Sequence, residues 1–115
     1  MPKDYKIYLT DIIECIEKIL NYTSGLSLAD FCNDPKTIDA VIRNLEIIGE
    51  AARRLPEEIK IKFPDVEWHK IISLRNILIH EYPSIDLETI WDIIENKLSP
   101  LEIKLKKFYK TNSNP

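Results

Sequence analysis

Apolar residues recur at steps of three and four through almost the whole chain, a spacing that builds helices and not strands. Tyr5, Tyr8, Leu9, Ile12, Ile16, Ile19 and Leu20 form one stripe, which predicts a first helix over about residues 3–22. Thr23-Ser24-Gly25 ends it, and Ser27 is placed to cap a short helical turn at Leu28–Phe31. Asp34-Pro35 is a start signal, an acid at the cap followed by proline at the first helical position. The helix behind it carries Ile38, Val41, Ile42, Leu45, Ile48, Ala52 and Leu55, and Pro56 stops it. Pro56–Phe63 reads as a short helix or an irregular link. Asp65 is placed to cap a helix over about residues 67–81, with Trp68, Ile71, Ile72, Leu74, Leu78 and Ile79 apolar and Pro83 as its end. Asp86 is placed to cap the next, with Leu87, Ile90, Trp91, Ile94 and Leu98. Ser99-Pro100-Leu101-Glu102 has the pattern of a capping box, so the last helix either kinks or restarts at Pro100. The expected fold is all-α, an antiparallel bundle of four main helices plus short ones, in one domain over residues 1–110. Residues 111–115 are expected to fray.

The chain has only two glycines, Gly25 and Gly49, in 115 residues. That excludes glycine-rich phosphate loops and argues against a fold of many hairpins. Gly49 lies inside a predicted helix, where it costs about 1 kcal/mol relative to alanine. In return it permits close approach of another helix, from the same chain or a second one. The net charge of −3 speaks against a broad nucleic-acid surface, though it says nothing about where charges sit. Only the last stretch is locally basic, through Lys97, Lys104, Lys106, Lys107 and Lys110, and it reads as a solvated helix face. Cys15 and Cys32 have no metal spacing and read as reduced, packed thiols. The acids around Cys15 would raise its pKa. No apolar run reaches membrane-spanning length, and a soluble cytoplasmic protein is expected. Glu46 with Glu50, and Glu88 with Asp92, are spaced by four without a histidine, and read as solvated faces. His69 reads as a surface residue and Trp91 as core.

One segment departs from plain bundle sequence: Arg75-Asn76-Ile77-Leu78-Ile79-His80-Glu81-Tyr82. At about 100° per residue, Asn76 and His80 share a face while Arg75 lies about 140° from His80. One copy therefore makes a loose site, whereas two copies across a dimer axis would line one cleft with two arginines and two histidines. Such a set suffices for metal-free RNA cleavage. A histidine can take the proton of the 2′-OH or protonate the leaving 5′-oxygen, and a guanidinium can clamp the phosphate. Spacing alone equally allows a structural reading. There His80 answers the helix dipole, Arg75 pairs with Glu81 or Glu67, and Tyr82 packs at the helix end.

The segment RNILIHEY resembles the Rx4HxY motif of HepT-like proteins, a branch of the HEPN superfamily of all-helical ribonucleases. Ile42–Leu55, IRNLEIIGEAARRL, is similar to the family's second long helix with its Gly-Glu-Ala, here Gly49-Glu50-Ala51. Trp68 before the motif, and Ile85-Asp86 with Ile90-Trp91 after it, extend the resemblance over most of residues 5–108. The resemblance implies a metal-independent endoribonuclease without a cofactor, the toxin of a toxin–antitoxin pair, working as a homodimer with a composite site. It implies Arg75 and His80 as catalytic residues, with Asn76 supporting the geometry. It also implies a minimal nucleotidyltransferase antitoxin that transfers AMP to Tyr82. A non-catalytic helical module that pairs with a nucleotidyltransferase is the alternative, and a plain structural bundle a third reading.

Overall fold

A computed structural model describes residues 5–81 and 84–113, and all regular structure among them is helical. The order is α1 (Tyr5–Thr23), α2 (Leu28–Cys32), α3 (Pro35–Arg54), α4 (Glu57–Lys60), α5 (Trp68–Glu81), α6 (Leu87–Asn96) and α7 (Leu98–Ser113). Most starts follow their predicted signals. Ser27 and Asp30 form a reciprocal capping box on α2. Asp34 accepts from the Thr37 amide at 3.1 Å, with Pro35 at the first helical position of α3. Asp86 accepts from the Glu88 amide at 3.0 Å and caps α6. Gly25 takes a φ of +78° just beyond α1, a left-handed conformation that costs glycine little.

Two starts differ from expectation. Helix α5 begins at Trp68, and its first backbone bonds, from Lys70 and Ile71, run to the Glu67 carbonyl. Glu67 therefore stands at the cap position and Asp65 does not. Helix α7 restarts at Leu98, directly after Lys97, so Ser99 lies inside its first turn and is no cap. Pro100 falls in that same turn, where its missing N–H would have had no partner. The Pro83 end of α5 lies outside the described residues, as do residues 114–115. Helix α7 itself runs on to Ser113.

The predicted stripes become the core. Leu9, Ile12, Ile16 and Ile19 of α1 and Val41 and Ala52 of α3 are fully sequestered. Each aliphatic side chain so buried is worth about 1.5–3 kcal/mol. Helix α3 is central, packing on α1 along one side and on α5 along the other. Helix α7 returns to α1, α6 lies on α7, and α2 bridges α3 and α6 through the Phe31–Trp91 ring contact at 5.2 Å. Trp68 fixes the start of α5: its ring meets Phe63 at 5.8 Å and its indole N–H donates to the Lys60 carbonyl at 3.2 Å. The two cysteines part company, Cys15 buried and Cys32 exposed on the last residue of α2, so Cys32 is not the packed thiol expected. Burial, more than the neighbouring acids, pushes the Cys15 thiol up.

Candidate functional site

Helix α5 is covered on one side only. Leu78 is completely buried, whereas Ile77 and Ile79 are each 45% exposed and Asn76 and His80 face solvent. The helix owes its place to Gly49. A methyl group there would overlap the β-carbon of Arg75 and lie 3.2 Å from the Ile71 carbonyl oxygen. Of the two partners the sequence left open for Gly49, the structure provides the one in the same chain.

Arg75 leaves α5 toward α3 and is partly buried there. Its Nε lies 3.3 Å from a carboxylate oxygen of Glu50, and its Nη1 donates to Asn76 Oδ1 at 2.9 Å. The Asn76 contact ties the guanidinium to the neighbouring residue of α5. Of the two structural pairings offered for Arg75, only the one with Glu67 falls among the described side chains, and it is not the one observed. Glu67 pairs with Lys70 at 3.1 Å, and the Glu81 side chain is outside the described residues. Tyr82 also lies outside them. Arg75 and His80 thus leave one helix in divergent directions, as their spacing requires.

The sequence assigned Glu50 no role: it stood in the Gly-Glu-Ala of the second long helix and was grouped with Glu46 as solvated. Glu50 accepts from Arg53 at 2.7 Å and from Arg54 at 3.0 Å, besides facing Arg75. These hydrogen bonds, Arg53 first, hold its carboxyl down to about 2 against partial burial. Its spacing of three and four from the two arginines was a visible signal; the contact with Arg75 crosses between helices and was not. Arg54 and Tyr8 line the same cleft, one of about 350 Å³ between α1, α3 and α5 that Asp11, Arg43, Glu50 and Arg75 also border.

The other candidates keep to the surface. His69 is exposed, and Lys106 is tied to Glu17 at 2.6 Å and Glu102 at 3.3 Å. Among the described residues no three of His, Cys, Asp or Glu are grouped to hold a metal ion, and no helix is long and apolar enough to cross a membrane.

The chain is similar over most of its length to known proteins. The family described as Ribonuclease HepT-like matches residues 12–108, which include α3, α5 and the whole Rx4H segment. "Putative RNase MJ0127" of Methanocaldococcus jannaschii is 46% identical over 105 residues, 90% of this chain and 86% of its own. "Probable ribonuclease HepT" of Thermococcus cleftensis is 38% identical over 110 residues, 96% of this chain and 100% of its own. "Putative RNase TTE0752" of Caldanaerobacter subterraneus subsp. tengcongensis is 38% identical over 100 residues, 87% of this chain and 89% of its own. No solved structure gives a significant match. On the family match over residues 12–108 and these relatives, the chain belongs to the HepT-like ribonucleases.

Proposed function

We propose that this chain is a metal-independent endoribonuclease, the toxin of a toxin–antitoxin pair, acting on RNA in the cytoplasm as a homodimer. Arg75 and His80 carry the reaction and Asn76 sets the geometry. The observation that carries this reading is the state of the motif on α5. Arg75 is held from two sides by Glu50 and Asn76, while His80 stands exposed at the end of the helix. An arginine fixed before substrate arrives loses little freedom on clamping a phosphate.

The divergence of Arg75 and His80 supports a site built from two copies. The exposed Ile77 and Ile79 flank the His80 face of α5 and give a second copy an apolar margin to close on. In the paired cleft, one imidazole takes the proton of the ribose 2′-OH as the 2′-oxygen bonds to phosphorus. The other, protonated, delivers its proton to the 5′-oxygen as the P–O5′ bond breaks. The products are a 2′,3′-cyclic phosphate and a 5′-hydroxyl, and the arginines neutralise charge developing on the phosphate. The domain is a single HEPN-like unit over residues 1–110. Its antitoxin is a minimal nucleotidyltransferase that places AMP on Tyr82, bringing negative charge and bulk to the cleft mouth and repelling RNA.

The deciding experiment is cleavage of a labelled RNA in EDTA by wild type and by His80→Ala, each shown to be folded. Wild type is expected to cut and the variant to lose at least a hundredfold. Equal cleavage by the two would remove His80 from the reaction. A folded wild type that binds a nucleotidyltransferase but cuts nothing would favour the non-catalytic module.

A further inference from the structure

Arg75 alone does not explain why its guanidinium is held where it is. Its counter-charge comes from Glu50, one helix away and beside the close contact at Gly49. A carboxylate next to a phosphate-binding arginine ought to repel the phosphate. Here that cost is offset, because Glu50 is also gripped by Arg53 and Arg54. Three guanidiniums against one carboxylate leave two positive charges around the group, within a chain whose net charge is −3. Stability is a poor explanation for the arrangement. Half-exposed ion pairs of this kind contribute about 1 kcal/mol or less. What the fork does supply is direction. Glu50 occupies the Nε side of Arg75, Asn76 occupies Nη1, and among the described residues no second carboxylate pairs with the guanidinium.

We infer that Glu50 is a positioning residue for Arg75: anchored by Arg53 and Arg54, its carboxylate fixes the Nε side of the guanidinium and turns the opposite edge toward the RNA phosphate. The inference rests on the ribonuclease reading above and adds to it a residue outside the motif. Glu50 touches no reacting atom and acts through Arg75, so its loss disturbs the alignment of the clamp more than its presence. The signature is a fall in kcat with KM little changed, because a loose arginine still attracts phosphate but no longer matches the transition state.

The test compares wild type, Glu50→Gln and Glu50→Asp in the full-length chain. A labelled single-stranded RNA in EDTA gives kcat and KM. The Nε–H resonance of Arg75 in ¹⁵N-labelled protein, assigned by its absence in Arg75→Lys, reports the hold directly. Expected for Glu50→Gln are a kcat lowered at least tenfold, a KM within about threefold of wild type, and a shift of the Arg75 Nε–H signal. Glu50→Asp keeps the charge but withdraws it by one methylene, and an intermediate kcat is expected. That variant carries the test by itself if the glutamine variant does not fold. A wild type that cuts, beside a Gln variant that keeps its kcat and the position of its Arg75 signal, would overturn the inference while leaving the ribonuclease reading intact. A wild type that cuts nothing would overturn the ribonuclease reading, and this inference with it.

Discussion

Gly49 and Arg75 meet so closely that the missing side chain of one is the space taken by the other: a β-carbon at position 49 would overlap that of Arg75 and sit 3.1 Å from its Cγ. Alanine ought to gain about 1 kcal/mol over glycine inside a helix. The overlap reverses the sign, because Arg75 Cβ and the Ile71 carbonyl are fixed parts of α5 and not flexible tips. Gly49→Ala is expected to destabilise the chain by about 1–3 kcal/mol in a denaturant titration. RNA cleavage is expected to fall at least tenfold under conditions where the variant is still folded, because α5 must move away from α3 and carry Arg75 off Glu50. A variant as stable as wild type would show that the two helices do not meet there.

The divergence of Arg75 and His80 on one helix leads to a test with linked dimers. A tandem protein joining one Arg75→Ala copy to one His80→Ala copy retains one arginine and one histidine, from different copies. If the site is shared, that pair still lines the cleft, and cleavage at least tenfold above that of either doubly substituted tandem is expected. A tandem no better than those two would mean that the reaction needs more than one arginine and one histidine.

How far the sequence alone carried these conclusions depended on the range of the interaction involved. The stripe from Tyr5 to Leu20, the caps at Ser27, Asp34 and Asp86, and the interruption of α3 before Pro56 are local, and all are found where the pattern put them. Asp65 failed as a cap because the turn ahead of α5 closes at Glu67, a choice made by the docking of Trp68 on Phe63 and on the Lys60 carbonyl. The Rx4HxY motif was legible as a string, and helical geometry already separated its arginine from its histidine. Glu50 was not legible, because its link to Arg75 spans two helices and depends on a close approach that the lone Gly49 only permits. Cys32 misled for a similar reason: a cysteine is commonly buried, but α2 turns this one outward.

Tyr82→Phe separates modification from catalysis. The phenol oxygen is the only atom lost, so the variant is expected to cut RNA within about threefold of wild type. If the proposed nucleotidyltransferase antitoxin places AMP on Tyr82, labelling by it with radiolabelled ATP is expected to vanish. Labelling that persists on the phenylalanine variant would move the acceptor to another residue. Labelling that vanishes together with cleavage would give the phenol a part in the reaction itself.

The arginine fork on Glu50 also sets a direction for the response to acid. Its carboxyl titrates at about 2 in the folded chain, below the ordinary 4.5, chiefly through the hydrogen bonds from Arg53 and Arg54. A depressed folded value means that the ionised group favours the native state. That contribution is fully present above about pH 4.5 and is lost as the pH falls toward 2. Glutamine at position 50 cannot ionise and lacks it throughout. The stability gap between wild type and Glu50→Gln is therefore expected to be constant from pH 5 to 7 and to shrink steadily below about 4.5, read from urea midpoints at each pH. High salt is expected to narrow the gap near neutrality, since the pairs are partly exposed. A gap that widens in acid would mean that protonating Glu50 strengthens the fork, which is the opposite of what three cationic partners allow.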